Sequence, residues 1–209
     1  MKIWIICTGE AEGLWPRRCD AAAFEQTARR AWETAPGERE EKKLNWEGRL
    51  VYAPPTDAAR QTAAICLQGG ELREEALLAP VPLRAWRDSG TASPRVWKEM
   101  ARLQRNLGSK RQPESRRDLS ARAEALMARL TEEEKDCVLI ADCLLTGELV
   151  DRARVRGYTY ARTGIFRFAP WERILLTRRD VHCGGCAHNC LLSNPGCGIG
   201  RDKAARKSG

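Results

Sequence analysis

Histidine is nearly absent from this chain. Of 209 residues only two are histidines, His182 and His188, and both lie among cysteines near the C-terminus. Everything before them therefore lacks the side chain that titrates nearest neutral pH and most often serves as general base. Long apolar runs are missing too. None approaches the ~20 residues of a membrane-spanning helix. The opening MKIWIIC is apolar but shorter than a signal-peptide core, and no small-residue cleavage site follows it. A cytoplasmic protein is expected. Aromatic residues make up 6% of the chain and are mostly scattered tryptophans, with no aromatic-plus-basic stacking pattern of the kind that reads single-stranded nucleic acid. There is no internal repeat.

What is present is a globular composition, 43% hydrophobic and 31% charged, enough for one α/β domain with a sizeable core. The net charge is +8, which attracts polyanions in general. Much of that excess lies in arginine-rich helical stretches and in the closing residues Arg201, Lys203, Arg206 and Lys207. A solvated basic surface is the simplest reading, and nucleic-acid binding ranks last because no reader motif accompanies it.

Residues 2–7 and 136–141 are short apolar runs rich in β-branched side chains, as buried strands are. Leu50–Ala53 is a third, ended by Pro54-Pro55. Helices are expected over 20–35, with Asp20 as N-cap and Pro36-Gly37 as stop, and from Thr56 or Asp57 onward. The charged stretch 37–48 reads as a loop. Residues 69–95 are broken by glycine and proline into loops with a short strand or two. Further helices are expected over 94–107 and 114–130. In the latter Leu119, Ala123, Leu126, Met127 and Leu130 fall on one face. Another helix follows residue 143, and two closing strands cover 158–168 and 172–177. This order predicts a three-layer α/β sandwich with a mainly parallel sheet over residues 1–178, followed by a cysteine-rich tail over 179–209.

That tail carries Cys183, Cys186, Cys190 and Cys197 in a Gly- and Pro-rich stretch. The C-x2-C-x3-C-x6-C spacing lets several thiolates reach one ion, and a segment too small to bury a core needs a metal to fold. Four soft thiolates suit a 4Fe–4S cluster or zinc. Their closeness, without the two separated knuckles of a zinc ribbon, favours the iron–sulfur cluster. His188 could replace one cysteine in a zinc site.

Several strand ends carry a pattern. They read Ile5-Ile6-Cys7-Thr8-Gly9-Glu10, then Tyr52-Ala53-Pro54-Pro55-Thr56-Asp57-Ala58-Ala59-Arg60-Gln61-Thr62-Ala63, then Glu114-Ser115 with Asp118 and Arg122, then Val138-Leu139-Ile140-Ala141-Asp142-Cys143. In order and spacing they resemble the motifs of the histidine phosphatase superfamily (phosphoglycerate mutase-like), most specifically at Ala-Arg-Gln-Thr-Ala. The resemblance implies a phosphohistidine enzyme, and residue by residue this chain departs from it. Thr8 stands at the nucleophilic histidine, Cys7 at the first phosphate-clamping arginine, Ala58 at the second, and Asp142 (Cys143 in the alternative register) at the second histidine. The family's acid falls near Glu74 or Glu75.

A threonine hydroxyl needs a neighbouring base to attack anything, and loss of the guanidiniums removes the bidentate phosphate contacts. The expected pocket is vestigial: Cys7, Thr8, Ala58 and Asp142, with Arg17, Arg18 and Arg60 as candidate surviving anion ligands. Cys7 and Cys143 are expected either to face each other as a redox pair or to be ordinary buried thiols. The leading expectation is a catalytically degenerate, phosphatase-like protein with a redox- or metal-sensing tail and a phosphorylated ligand or a protein as candidate partner. An enzyme with a repurposed pocket (a phosphomonoesterase among the options) and an electron-transfer module are the alternatives.

Overall fold

The structure, a computed structural model, describes residues 1–37, 43–162 and 168–178. The chain divides into two units, Met1–Arg179 and Asp180–Gly209, and every described residue lies in the first. The tail with Cys183, Cys186, Cys190 and Cys197 lies outside the described residues.

The opening apolar run forms β1 (Lys2–Cys7), and the second expected strand is β3 (Leu50–Ala53). The third is β6 (Cys137–Ala141), buried along its whole length. Together with β5 (Glu71–Glu74), β7 (Tyr158–Arg162) and β8 (Arg173–Arg178) they make one sheet in the order β5-β3-β6-β1-β8-β7. The first four strands pair in parallel, and β8 pairs antiparallel with both β1 and β7. The mainly parallel sheet expected from the sequence is what the chain builds. Two-residue strands β2 (Leu44–Asn45) and β4 (Leu67–Gln68) pair separately. Sequence reasoning left the first as loop, since a two-residue bridge has no periodicity to read.

Alternation along the strands sorts side chains to two buried faces. Ile3, Ile5, Cys7, Leu139 and Ala141 point to one. There they meet α4 (Arg116–Glu133) and α5 (Cys143–Val155) through Leu119, Leu126, Met127, Leu130, Leu145 and Leu149. Ile6, Val51, Ala53, Val138 and Ile140 point to the other, against Ala59, Ala63 and Cys66 of α2 (Asp57–Cys66). Beside α2 lies α1 (Ala21–Glu33), capped by Asp20. Its Phe24 stacks on Trp97 of α3 (Pro94–Asn106), with ring centroids 5.8 Å apart. Among the described residues no helix is long and apolar enough to cross a membrane.

Because the chain passes from β1 to β3 and β5 and only later inserts β6 between β1 and β3, a crevice opens at the carboxyl ends of β1 and β6. Open α/β sheets bind ligands at such switch points.

Candidate functional site

At this crevice a cavity of about 200 Å3 is lined by Thr8, Glu10, Trp15, Trp32, Val81, Leu83, Lys98, Arg102, Asp142, Cys143 and Phe168, among others. Thr8 and Asp142 both line it. Cys7 lies beneath, fully buried, while Ala58 is buried in the first turn of α2.

Asp142 is a structural residue here. It caps α5: one carboxylate oxygen accepts from Leu144 N at 2.7 Å and Leu145 N at 2.8 Å. The other accepts from the backbone N–H of buried Val81 at 2.5 Å. Three N–H donors thus meet the Asp142 carboxylate, a negative charge placed favourably at a helix N-terminus.

Thr8 donates its N–H to Ala141 O at 2.8 Å, and among the described residues its hydroxyl has no hydrogen-bonded base. Beneath it, the Cys7 thiol donates to Thr146 Oγ1 at 3.6 Å, one turn along α5 from Cys143. The two thiols do meet. A hydrogen bond donated to Cys7, together with burial, holds the Cys143 thiol well above its ordinary 9.0.

Charged side chains of the cavity lining are engaged in ion pairs. Glu10 accepts from Lys98 Nζ at 3.0 Å and from the Trp15 indole N–H. Lys98 in turn sits 4.0 Å above the Trp15 ring. Arg102 holds Glu99 at 2.8 Å.

Trp171, which sequence reasoning missed, packs against the core on the α2 side of the sheet. Its indole lies against Gly9, where an added Cβ would stand 2.2 Å from the ring. Glycine is required here by that close approach. Trp171 itself has φ +69, a strained conformation for a bulky residue. It is held there by its N–H to Cys7 O at 3.0 Å and by Cys7 N to Glu172 O at 2.8 Å.

The other residues singled out by the sequence lie elsewhere. Arg60 is on the exposed surface, paired with Glu74 at 2.6 Å and Asp57 at 3.4 Å. Arg17 is exposed, and Arg18 donates to Thr91 O at 3.0 Å. Glu75 caps the turn at Ala76–Leu78 and pairs with Arg129. Thr62 accepts from Gly9 N at 2.9 Å and donates to Ala58 O at 2.6 Å, tying the turn after β1 to α2. Ser115 and Asp118 form a capping box that starts α4. Arg122 clamps Glu114 through two bonds of 3.0 Å and donates to Leu77 O at 3.1 Å. These residues serve here as helix caps, ion pairs and a tie between the turn after β1 and α2.

No protein-family model matches the chain, and no curated protein matches it. Solved structures do resemble it. One is that of the open reading frame Rv3214 from Mycobacterium tuberculosis, with TM-score 0.42 and 14% identity over 73% of this chain and 79% of that one. Another is the mycobacterial glucosyl-3-phosphoglycerate phosphatase Rv2419c, with TM-score 0.41 and 18% identity over 73% of this chain and 81% of that one.

Proposed function

We propose that this chain is a phosphatase-like scaffold without phosphatase chemistry, a binding protein whose cysteine tail carries a metal centre. The observation that carries the reading is Asp142. The residue at the second catalytic position is consumed by three backbone N–H groups, beside a threonine with no base. Removing a single transition-state donor costs about a hundredfold or more in rate, and groups that act as a unit fail as a unit. The crevice retains shape and aromatic walls, which suit binding, but its charged side chains are paired with one another.

For the tail, Cys183, Cys186, Cys190 and Cys197 would hold the centre. Four thiolates at this spacing fit a 4Fe–4S cluster, with zinc as the alternative. The cluster would supply redox or oxidant sensitivity to an otherwise inert domain.

Two measurements test the reading. With an aryl phosphate, the purified chain should turn over no faster than buffer, and turnover abolished by Thr8→Ala overturns the first half. Anaerobically prepared protein should be brown, with iron and sulfide in stoichiometric amounts. Colourless protein with stoichiometric zinc replaces the cluster by zinc, and metal-free protein with four free tail thiols overturns the second half.

A further inference from the structure

Beyond Trp32 the crevice adjoins another cavity, of about 490 Å3, within the range of small-molecule sites. It is lined by α1 and by the segments 82–84 and 110–113, and it shares Ala28, Trp32 and Leu83 with the crevice. Arg29, Arg84 and Lys110 line it. All three side chains are exposed, and none has a hydrogen bond or an ion pair among the described residues. A fourth lining cation, Arg111, is engaged by Asp88 and by the Ala85 carbonyl. The one carboxylate among the described lining residues, Glu25, already accepts from the Ala85 N–H at 3.0 Å.

Arg60, Arg73, Arg122 and Arg129 each hold a carboxylate, whereas these three cations share a cavity without one. Asp88 is bound to Arg111 and acts on Arg84 only through its field. Like charges around one cavity repel, and a multivalent anion relieves all of them at once. Phosphate groups suit such cations, through charge-assisted bonds that arginine makes in pairs. The remaining wall is apolar, with Pro82 and Leu83 beside Trp32. Trp32 is half-buried, and among the described residues it has no ring contact and no hydrogen bond from its indole N–H. A free indole face suits a planar ring.

We propose that this cavity binds a nucleoside polyphosphate, its phosphates on Arg29, Arg84 and Lys110 and its base against Trp32. A single aromatic ring in the lining stacks a single base, whereas readers of single strands set several in a row, so a mononucleotide is the better fit than a nucleic acid. The inference deepens the reading of this chain as a binding protein by naming the class of ligand. It needs neither phosphatase chemistry nor the tail.

The test uses the full chain, 15N-labelled and free of divalent ions, titrated separately with ATP, adenosine, tripolyphosphate and a short single-stranded oligodeoxynucleotide. Calorimetry supplies the affinities. ATP should bind saturably, shift amides in 25–33, 82–84 and 110–113, and bind at least about tenfold tighter than adenosine or tripolyphosphate, as a stacked base and its phosphates acting together should. Arg29→Glu and Arg84→Glu should each weaken ATP by at least about tenfold. Arg117→Glu alters an exposed cation of α4 outside the lining with the same change in net charge, and should weaken ATP by less than about threefold because solvent and salt screen it. The inference is overturned if ATP does not saturate, if adenosine or tripolyphosphate binds as well, or if the shifts map elsewhere. It is also overturned if Arg117→Glu weakens ATP as much as the lining variants do, or if the oligonucleotide displaces ATP at equal nucleotide concentration. The comparison of probes is made on the wild-type chain and does not depend on any variant folding. ATP bound and then hydrolysed upholds the site and overturns the inactive reading, whereas absence of binding with no turnover of aryl phosphate does the reverse.

Discussion

Replacing Asp142 separates a structural residue from a catalytic relic. In Asp142→Ala the α5 cap is lost, at a cost of about 0.5–2 kcal/mol, with roughly 0.3–1 more for the negative charge at the helix N-terminus. The Val81 N–H, on a residue only 3% exposed, loses its acceptor at 2.5 Å. Stranding a buried donor costs about 1–3 kcal/mol. The sum is roughly 2–6 kcal/mol, less whatever a water recovers at Val81. For a domain of this size each kcal/mol lowers Tm by about 2–4 °C, so a fall of about 4–24 °C is expected. Denaturant unfolding followed by tryptophan emission reads the same quantity. Asp142→Asn keeps an oxygen for the helix N–H groups and should lose less than half as much. Asp142→His, which restores the family's residue type, should be as unstable as the alanine variant and equally inactive on aryl phosphates. An alanine variant within about 0.5 kcal/mol of wild type, the scatter of ordinary surface substitutions, would refute the assignment.

Gly9→Ala should destabilise by about 1–3 kcal/mol or more, since its Cβ would meet the Trp171 ring at 2.2 Å. A shifted tryptophan emission spectrum checks that the ring moved. Stability should fall as pH rises above 9. Burial raises the Cys137 thiol from 9.0 to about 12, so the unfolded chain ionises first. The native advantage is whole below 9.0 and is lost toward 12 at up to about 1.4 kcal/mol per pH unit. Denaturant midpoints across that window, flattened in Cys137→Ala, test this. Arg122→Gln breaks a pair whose side chains are each 16% exposed and frees two carbonyls. It should cost about 2–4 kcal/mol, and unfolding curves measure it.

Periodicity in the sequence was enough to determine the sheet's main strands and its helices. The alternation in β1 and β6 and the stripe Leu119–Leu130 are local patterns that admit one burial solution each. The same residues located the crevice, because Thr8 and Asp142 close strands that must be neighbours. The absence of imidazole before His182 was likewise legible. Tertiary structure alone decided what those side chains do. Whether the second Asp142 oxygen is free for a ligand depends on Val81, which arrives from 61 residues away. Arg60 is open to two readings in the sequence, surface charge or anion ligand, and Glu74 in β5 beside it makes it a surface ion pair. One signal went unread: Trp97, Ala101 and Arg105 recur at i, i+4 and i+8, which puts a charge on the buried face of α3. That its Nε and Nη1 have no partner among the described residues was beyond any reading of the chain, since hydrogen-bond satisfaction is set by contacts that close only when the helices pack.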